Sequence, residues 1–118
     1  MPHCLVEGAR ALEKLLAPDE LVTLVHEAAM ASGLFKDGEV KVRLSLYDHY
    51  SVGGSRDDFV HVIFYLLAGR TDEQKKALSM AVVGLLVERL PDVESISMDV
   101  RDIRREAFSN RRQYLEAR

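Results

Sequence analysis

The sequence predicts an α+β domain built from two β-α-β units, whose strands join in one four-stranded mixed sheet with two helices on one face. Three observations carry this. Segments with period-two alternation and segments with helical spacing follow one another in the order strand, helix, strand, then strand, helix, strand. The halves also echo each other. Pro2-His3-Cys4-Leu5-Val6 aligns with Val60-His61-Val62-Ile63-Phe64, and Val40-Lys41-Val42-Arg43-Leu44 with Ile96-Ser97-Met98-Asp99-Val100, an internal repeat over about 2–47 and 59–102 with a tail at 103–118. Finally, 118 residues with 47% apolar content suffice for one core, so 1–118 reads as a single domain.

Each element has its own signal. Residues 2–7 are short and apolar-rich and are followed by Gly8, which suits a strand opened by a proline that needs no ladder donor. Pro18, Asp19 and Glu20 start a helix, and Leu21, Leu24, Val25, Ala28 and Ala29 form its apolar stripe until Gly33 offers a stop. Val40, Val42, Leu44 and Leu46 alternate with Lys41, Arg43, Ser45 and Tyr47, a strand with one apolar and one cationic face. Residues 48–58, rich in Asp, Gly and Ser, form a loop. From Phe59 to about Leu67 a third strand is apolar on both sides. Thr71-Asp72-Glu73-Gln74 is a capping-box start for a second helix, whose stripe runs from Ala77 and Leu78 to Leu85 and Leu86 before Leu90-Pro91. Ile96, Met98 and Val100 alternate as a fourth strand. The tail carries Arg104, Arg105, Arg111, Arg112 and Arg118 among acids, and reads as a short helix or arm that is solvated or used in packing rather than as an anion site. Right-handed crossovers put both helices on one side of the sheet, so the apolar residues on the other side of the third strand predict a homo-oligomer packed through sheet faces.

Composition narrows the chemistry. With 16 basic and 19 acidic residues the net charge is −3, so no global field favours nucleic acid or an anionic membrane. Cys4 is the only cysteine, which leaves no intrachain disulfide or multi-cysteine zinc site and fits a reducing cytoplasm. The N-terminal MPHCLVEGAR lacks the pattern of a secretory signal, and no apolar run is long enough for a membrane span, so a cytoplasmic protein is expected. His3, His26, His49 and His61 show no metal-binding spacing. There is no G-x-S-x-G elbow, P-loop or G-x-G-x-x-G, and no metal or organic cofactor is implied.

Proline at position 2 is the remaining chemical feature. Removal of Met1 would leave Pro2 a free secondary amine. Free α-amino groups titrate at about 7.7–8.0, and apolar burial or a nearby cation lowers that value toward the range a general base needs at neutral pH.

The stretch from Leu67-Ala68-Gly69-Arg70-Thr71 through Asp72-Glu73-Gln74-Lys75-Lys76-Ala77-Leu78 closely resembles the strand-to-helix junction of 4-oxalocrotonate tautomerase. Over about residues 2–102 the chain is similar to the 5-carboxymethyl-2-hydroxymuconate isomerase family, fused double-length members of the tautomerase superfamily. Pro2-His3, Val6-Glu7, Gly33-Leu34-Phe35, Asp58-Phe59-Val60-His61 and Ala68-Gly69-Arg70-Thr71 are the matching segments. The resemblance implies a tautomerase-like fold, a trimer with sites near Pro2 at subunit boundaries, and no cofactor. It also implies that Pro2 moves a proton in a small unsaturated 2-hydroxy or 2-oxo dicarboxylic acid, with 5-carboxymethyl-2-hydroxymuconate as the leading candidate. By match, Arg70 takes one carboxylate-binding position. The family's other arginine position falls on Lys41, with Arg43 two residues on along the same strand face. Lysine keeps the charge but not the bidentate geometry, so Arg43 supplies the latter or the preferred substrate differs. Phenylpyruvate-type tautomerisation, dehalogenation and a non-enzymatic ferredoxin-like binding module are the alternatives.

Overall fold

A computed structural model of the chain describes residues 2–118. Met1, whose removal the reading of Pro2 requires, lies outside the described residues. In chain order the elements are β1 (His3–Ala9), a 3₁₀ turn (Arg10–Lys14), α1 (Pro18–Ala31), β2 (Lys41–Tyr47), β3 (Phe59–Leu67), α2 (Asp72–Arg89), β4 (Ser95–Ile103), a second 3₁₀ turn (Arg105–Ala107) and α3 (Arg111–Ala117). The sheet order is β2-β1-β3-β4. β1 runs parallel to β2 and β3 parallel to β4, while β1 and β3 meet antiparallel at the centre. The α+β class and the mixed four-stranded sheet are as expected, and the tail adds a third, short helix.

The strand registers agree with the repeat. His3 faces Lys41, and the residues aligned with them in the second half, His61 and Ser97, face each other in the same way. Cys4 and Val6 of β1 and Val60, Val62, Phe64 and Leu66 of β3 are buried against Leu21, Val25 and Ala28 of α1 and Leu78, Val82 and Leu86 of α2. Each such large side chain contributes roughly 1.5–3 kcal/mol when taken out of water. Pro18 occupies the start of α1, where its missing N–H is no loss. At the start of α2 the Thr71 hydroxyl accepts from the Gln74 N–H at 3.1 Å, and the Gln74 side chain accepts from the Thr71 N–H at 2.9 Å.

Two features differ from the sequence expectation. First, β1 does not stop before Gly8. Gly8 and Ala9 continue the ladder opposite Leu46 and Tyr47, and glycine is required at position 8 for room. A Cβ there would collide with the Leu12 side chain and lie 3.0 Å from the Phe59 carbonyl oxygen. Leu12 is itself buried, so it has little space to swing aside.

Second, the apolar part of the open sheet face is a narrow stripe. Leu5, Ile63, Tyr65 and Phe59 are only partly buried there, flanked by Lys41, Arg43 and Ser45 on β2 and by Ser97, Asp99 and Arg101 on β4. The edge strands therefore carry polar residues on the face where the central strand β3 is apolar.

Gly8→Ala is expected to destabilise the protein by about 1–3 kcal/mol through overpacking against Leu12. Urea unfolding should show a lower midpoint at unchanged slope; an unchanged midpoint would mean that Leu12 repacks freely.

Candidate active site

The antiparallel register sets His3 opposite Tyr65, so Pro2, one residue earlier, comes alongside the end of β3. Its carbonyl accepts the Lys41 N–H at 3.1 Å, which ties the start of the chain to β2. Pro2 is buried. Together with Phe35, Glu39, Leu66, Leu67, Arg70 and Arg105 it lines a small cavity of about 70 Å³.

Arg70 reaches this cavity because of the turn that precedes it. Gly69 has φ +134°, a conformation open to glycine and rarely to other residues, and it lets the chain leave β3 sharply before the Thr71 cap. The Arg70 Nη2 donates to the Leu34 carbonyl at 2.7 Å, and its guanidinium lies 5.5 Å from the centre of the Phe35 ring. Phe35 in turn stacks on the buried Phe64 at 5.4 Å. A loop of the first repeat thus holds the cation that the second repeat supplies. Arg70 stands at the positive end of α2, where the helix dipole disfavours a cation, so its place is set by these contacts rather than by the helix. Beside it, the Lys36 backbone N–H bonds the Glu39 carboxylate at 2.7 Å and holds its pKa below the usual range, with the Lys36 and Arg70 charges adding to the effect.

Lys41 stands at the edge of this site. Its ammonium donates to the Glu39 carbonyl at 3.1 Å, and it lines a cleft of about 510 Å³ that shares Glu39, Leu67 and Arg105 with the Pro2 cavity. Arg43 stands apart. It lies two residues along β2 on the open face, with Nη1 3.1 Å from the His3 Nδ1, and it lines neither cavity. Of the residues singled out from sequence, then, Pro2 and Arg70 share a cavity, Lys41 lines the adjoining cleft, and Arg43 belongs to another surface.

Arg105 is the residue that sequence reasoning passed over. The sequence of the tail suggests a solvated or packing segment, yet the Arg105 Nε donates to the Ala68 carbonyl at 2.7 Å and the side chain borders the Pro2 cavity. Its only sequence signal was the number of arginines in the tail, and the neighbouring acids masked that.

A larger cavity of about 720 Å³ lies at the other end of the sheet, lined by Val52, Arg56, Asp57, Asp58, Asp92, Glu94 and Ser95. By the repeat, this end corresponds to the Pro2 end, but Val60 stands where Pro2 would be and Ser97 where Lys41 would be. Its lining is mainly acidic. Among the described residues no group of three His, Cys, Asp or Glu could hold a metal ion, and no helix is long and apolar enough to cross a membrane.

The class of protein, a tautomerase-type isomerase, is shown by comparison with known families and structures. The model of the 5-carboxymethyl-2-hydroxymuconate isomerase family matches residues 2–111, and the chain belongs to that family. A 5-carboxymethyl-2-hydroxymuconate isomerase from Deinococcus radiodurans R1 is similar in fold, with TM-score 0.80 and 21% identity over 93% of this chain and 88% of that one. So is a fused 4-OT solved as an asymmetric trimer, with TM-score 0.78 and 23% identity over 92% of each chain. A 5-carboxymethyl-2-hydroxymuconate delta-isomerase superposes with TM-score 0.74 and 16% identity over 99% of this chain and 91% of that one. No curated protein sequence matches the chain. Membership of an isomerase family removes the case for a ferredoxin-like binding module.

Burial lowers the His3 pKa from 6.5, and the Arg43 and Lys41 charges lower it further. As pH falls through 6.5 the unfolded chain therefore takes up this proton before the folded one does. The contribution of His3 to stability is whole above that pH and is lost below it, until the folded ring protonates too. Comparing urea midpoints of wild type and His3→Gln from about pH 7.5 to about pH 5, wild type should lose more stability; a constant gap would contradict this.

Proposed function

We propose that Pro2, as a free secondary amine after removal of Met1, is the general base and acid of this isomerase, and that 5-carboxymethyl-2-hydroxymuconate is its substrate. The observation that carries the reading is the single cavity lined by both Pro2 and Arg70. Phe35, Leu66 and Leu67 give it an apolar wall, and the guanidinium groups of Arg70 and Arg105 border it together with the Glu39 carboxylate. The apolar wall and the two cations disfavour an ammonium against the single opposing charge of Glu39, which leaves the neutral amine available as a base.

In this mechanism the amine takes the enol O–H proton, negative charge spreads over the dienolate, and the proton returns to carbon to give the keto acid. No atom is gained or lost overall. Arg70 is fixed in advance by Leu34 and Phe35, so it can meet a carboxylate or the developing oxyanion without reorganising. Lys41 adds a point charge from the adjoining cleft. Arg43 faces the open side of the sheet, so it serves a site only across a subunit boundary. The stripe of Leu5, Ile63 and Tyr65 on that face supports a homo-oligomer, and a trimer is the form in which several fused 4-OT structures of this fold were solved.

Ketonisation of 5-carboxymethyl-2-hydroxymuconate, with protein whose intact mass lacks Met1, tests the assignment. Pro2→Ala should lose about 10²-fold or more in rate. Arg70→Ala should lower kcat/KM by about 10²–10³-fold. Lys41→Ala should cost more than Arg43→Ala; the reverse order assigns the second cation to a boundary-crossing Arg43. A Pro2→Ala variant at full rate, or an inert Met1-free wild type, would sink the reading. Light scattering should give three times the 13.3 kDa chain mass.

A further inference from the structure

The small cavity at Pro2 and the larger cleft beside it meet at Arg105. The Nε of Arg105 is engaged with the Ala68 carbonyl, which orients the guanidinium, while its other nitrogens are left for a ligand: among the described residues it makes no ion pair. Around the cleft stand the cations Lys36, Lys41, Arg105 and Arg112 against one carboxylate, Glu39, with Leu67 and Phe108 as apolar surface. Arg112 is partly neutralised by Glu116 at 3.4 Å. Among these cations Arg105 alone also borders the Pro2 cavity. The Pro2 cavity, at about 70 Å³, is too small for a whole six-carbon diacid, whereas the cleft of about 510 Å³ falls in the usual range for a small-ligand site.

We propose that Arg105 is a specificity-determining residue that receives a second carboxylate of the ligand, and that the cleft between the tail and residues Lys36–Lys41 takes the part of the ligand farther from Pro2. This rests on the reading of Pro2 and Arg70 as the reacting end. A carboxylate at Arg70 fixes one end of the ligand, an unsaturated chain lies along Leu67, and the distal carboxylate meets Arg105 with Lys41 and Lys36 nearby. The ligand class selected is an elongated acid with charge at both ends. The carboxymethyl arm and the second muconate carboxylate of the proposed substrate both offer such a distal charge. The tail is thereby part of the site rather than an appendage.

The test separates this role from catalysis by measuring binding alone, with adipate as a six-carbon diacid and hexanoate as its monoacid counterpart, by calorimetry on the Met1-free protein. Wild type should bind adipate about 10–100-fold more tightly than hexanoate, the value of one charge-assisted hydrogen-bonded pair. Arg105→Gln should remove that preference while leaving hexanoate binding within about threefold, and Arg105→Lys should restore part of it. Arg70→Gln should weaken both ligands. Equal affinity for the two acids in wild type, an adipate preference retained in Arg105→Gln, or equal loss of both ligands in that variant would overturn the proposal. The last result would mark Arg105 as a structural clamp on the Ala68–Arg70 turn. Because no turnover is measured, none of these outcomes depends on Pro2 acting as the base.

Discussion

Hydrogen bonding between β1 and β3 joins two β-α-β units, neither of which could bury its strands and helix alone. Each unit brings its own parallel pair, and only the central antiparallel ladder makes one sheet and one core of them. The same ladder determines which residues meet Pro2. Antiparallel pairing necessarily lays the start of one strand against the end of the other, so Pro2 arrives beside Leu66, Leu67 and the exit turn that carries Arg70. A slip of one residue would turn the strand's inward set outward and break both the core and the site.

The electrostatics follow from that juxtaposition. The chain is acidic overall, yet the Pro2 end of the sheet collects Arg70, Arg105, Lys41 and Lys36 against Glu39. Arg70 is restrained by a carbonyl and an aromatic face, and Arg105 by another carbonyl; among the described residues neither forms an ion pair, and Arg70 acts on Glu39 only through its field. Guanidinium groups oriented by neutral partners keep their charge for an incoming anion. Cys4 shows the opposite treatment. Burial raises its thiol pKa to about 12, so the lone cysteine, two residues from Pro2, is a core residue and no nucleophile.

The repeat preserves the fold and not the residues at the two ends of the sheet. His3 and His61 occupy equivalent rungs, but His3 neighbours a cationic strand while His61 bonds the Ser97 hydroxyl at 2.7 Å. Val60, Ser97 and Asp99 take the places of Pro2, Lys41 and Arg43. One end of the sheet therefore gathers cations about a proline and the other gathers acids about a valine. A fused chain can diverge in this way because the core needs only apolar side chains at inward positions, and either half satisfies that with different residues on its rim.

The strands, both long helices and the capping box at Thr71 were legible in the amino-acid order, because periodicity and caps are local patterns. The extension of β1 through Gly8 was not, since a glycine chosen for room near Leu12 looks in sequence like one chosen to end a strand. Nor was the difference between Lys41 and Arg43. They share a strand face in sequence, but only the sheet's edge and the loop at Glu39 put one beside the Pro2 cavity and leave the other against His3. Arg105 depended most on tertiary structure. Its distance along the chain from Ala68 hid the contact, and the return of β4 alongside β3 brings it back to the site. Local pattern thus determined which elements form and which residue types could do chemistry. Long-range pairing decided which of those residues meet, because nonlocal contacts leave no periodic trace in the chain.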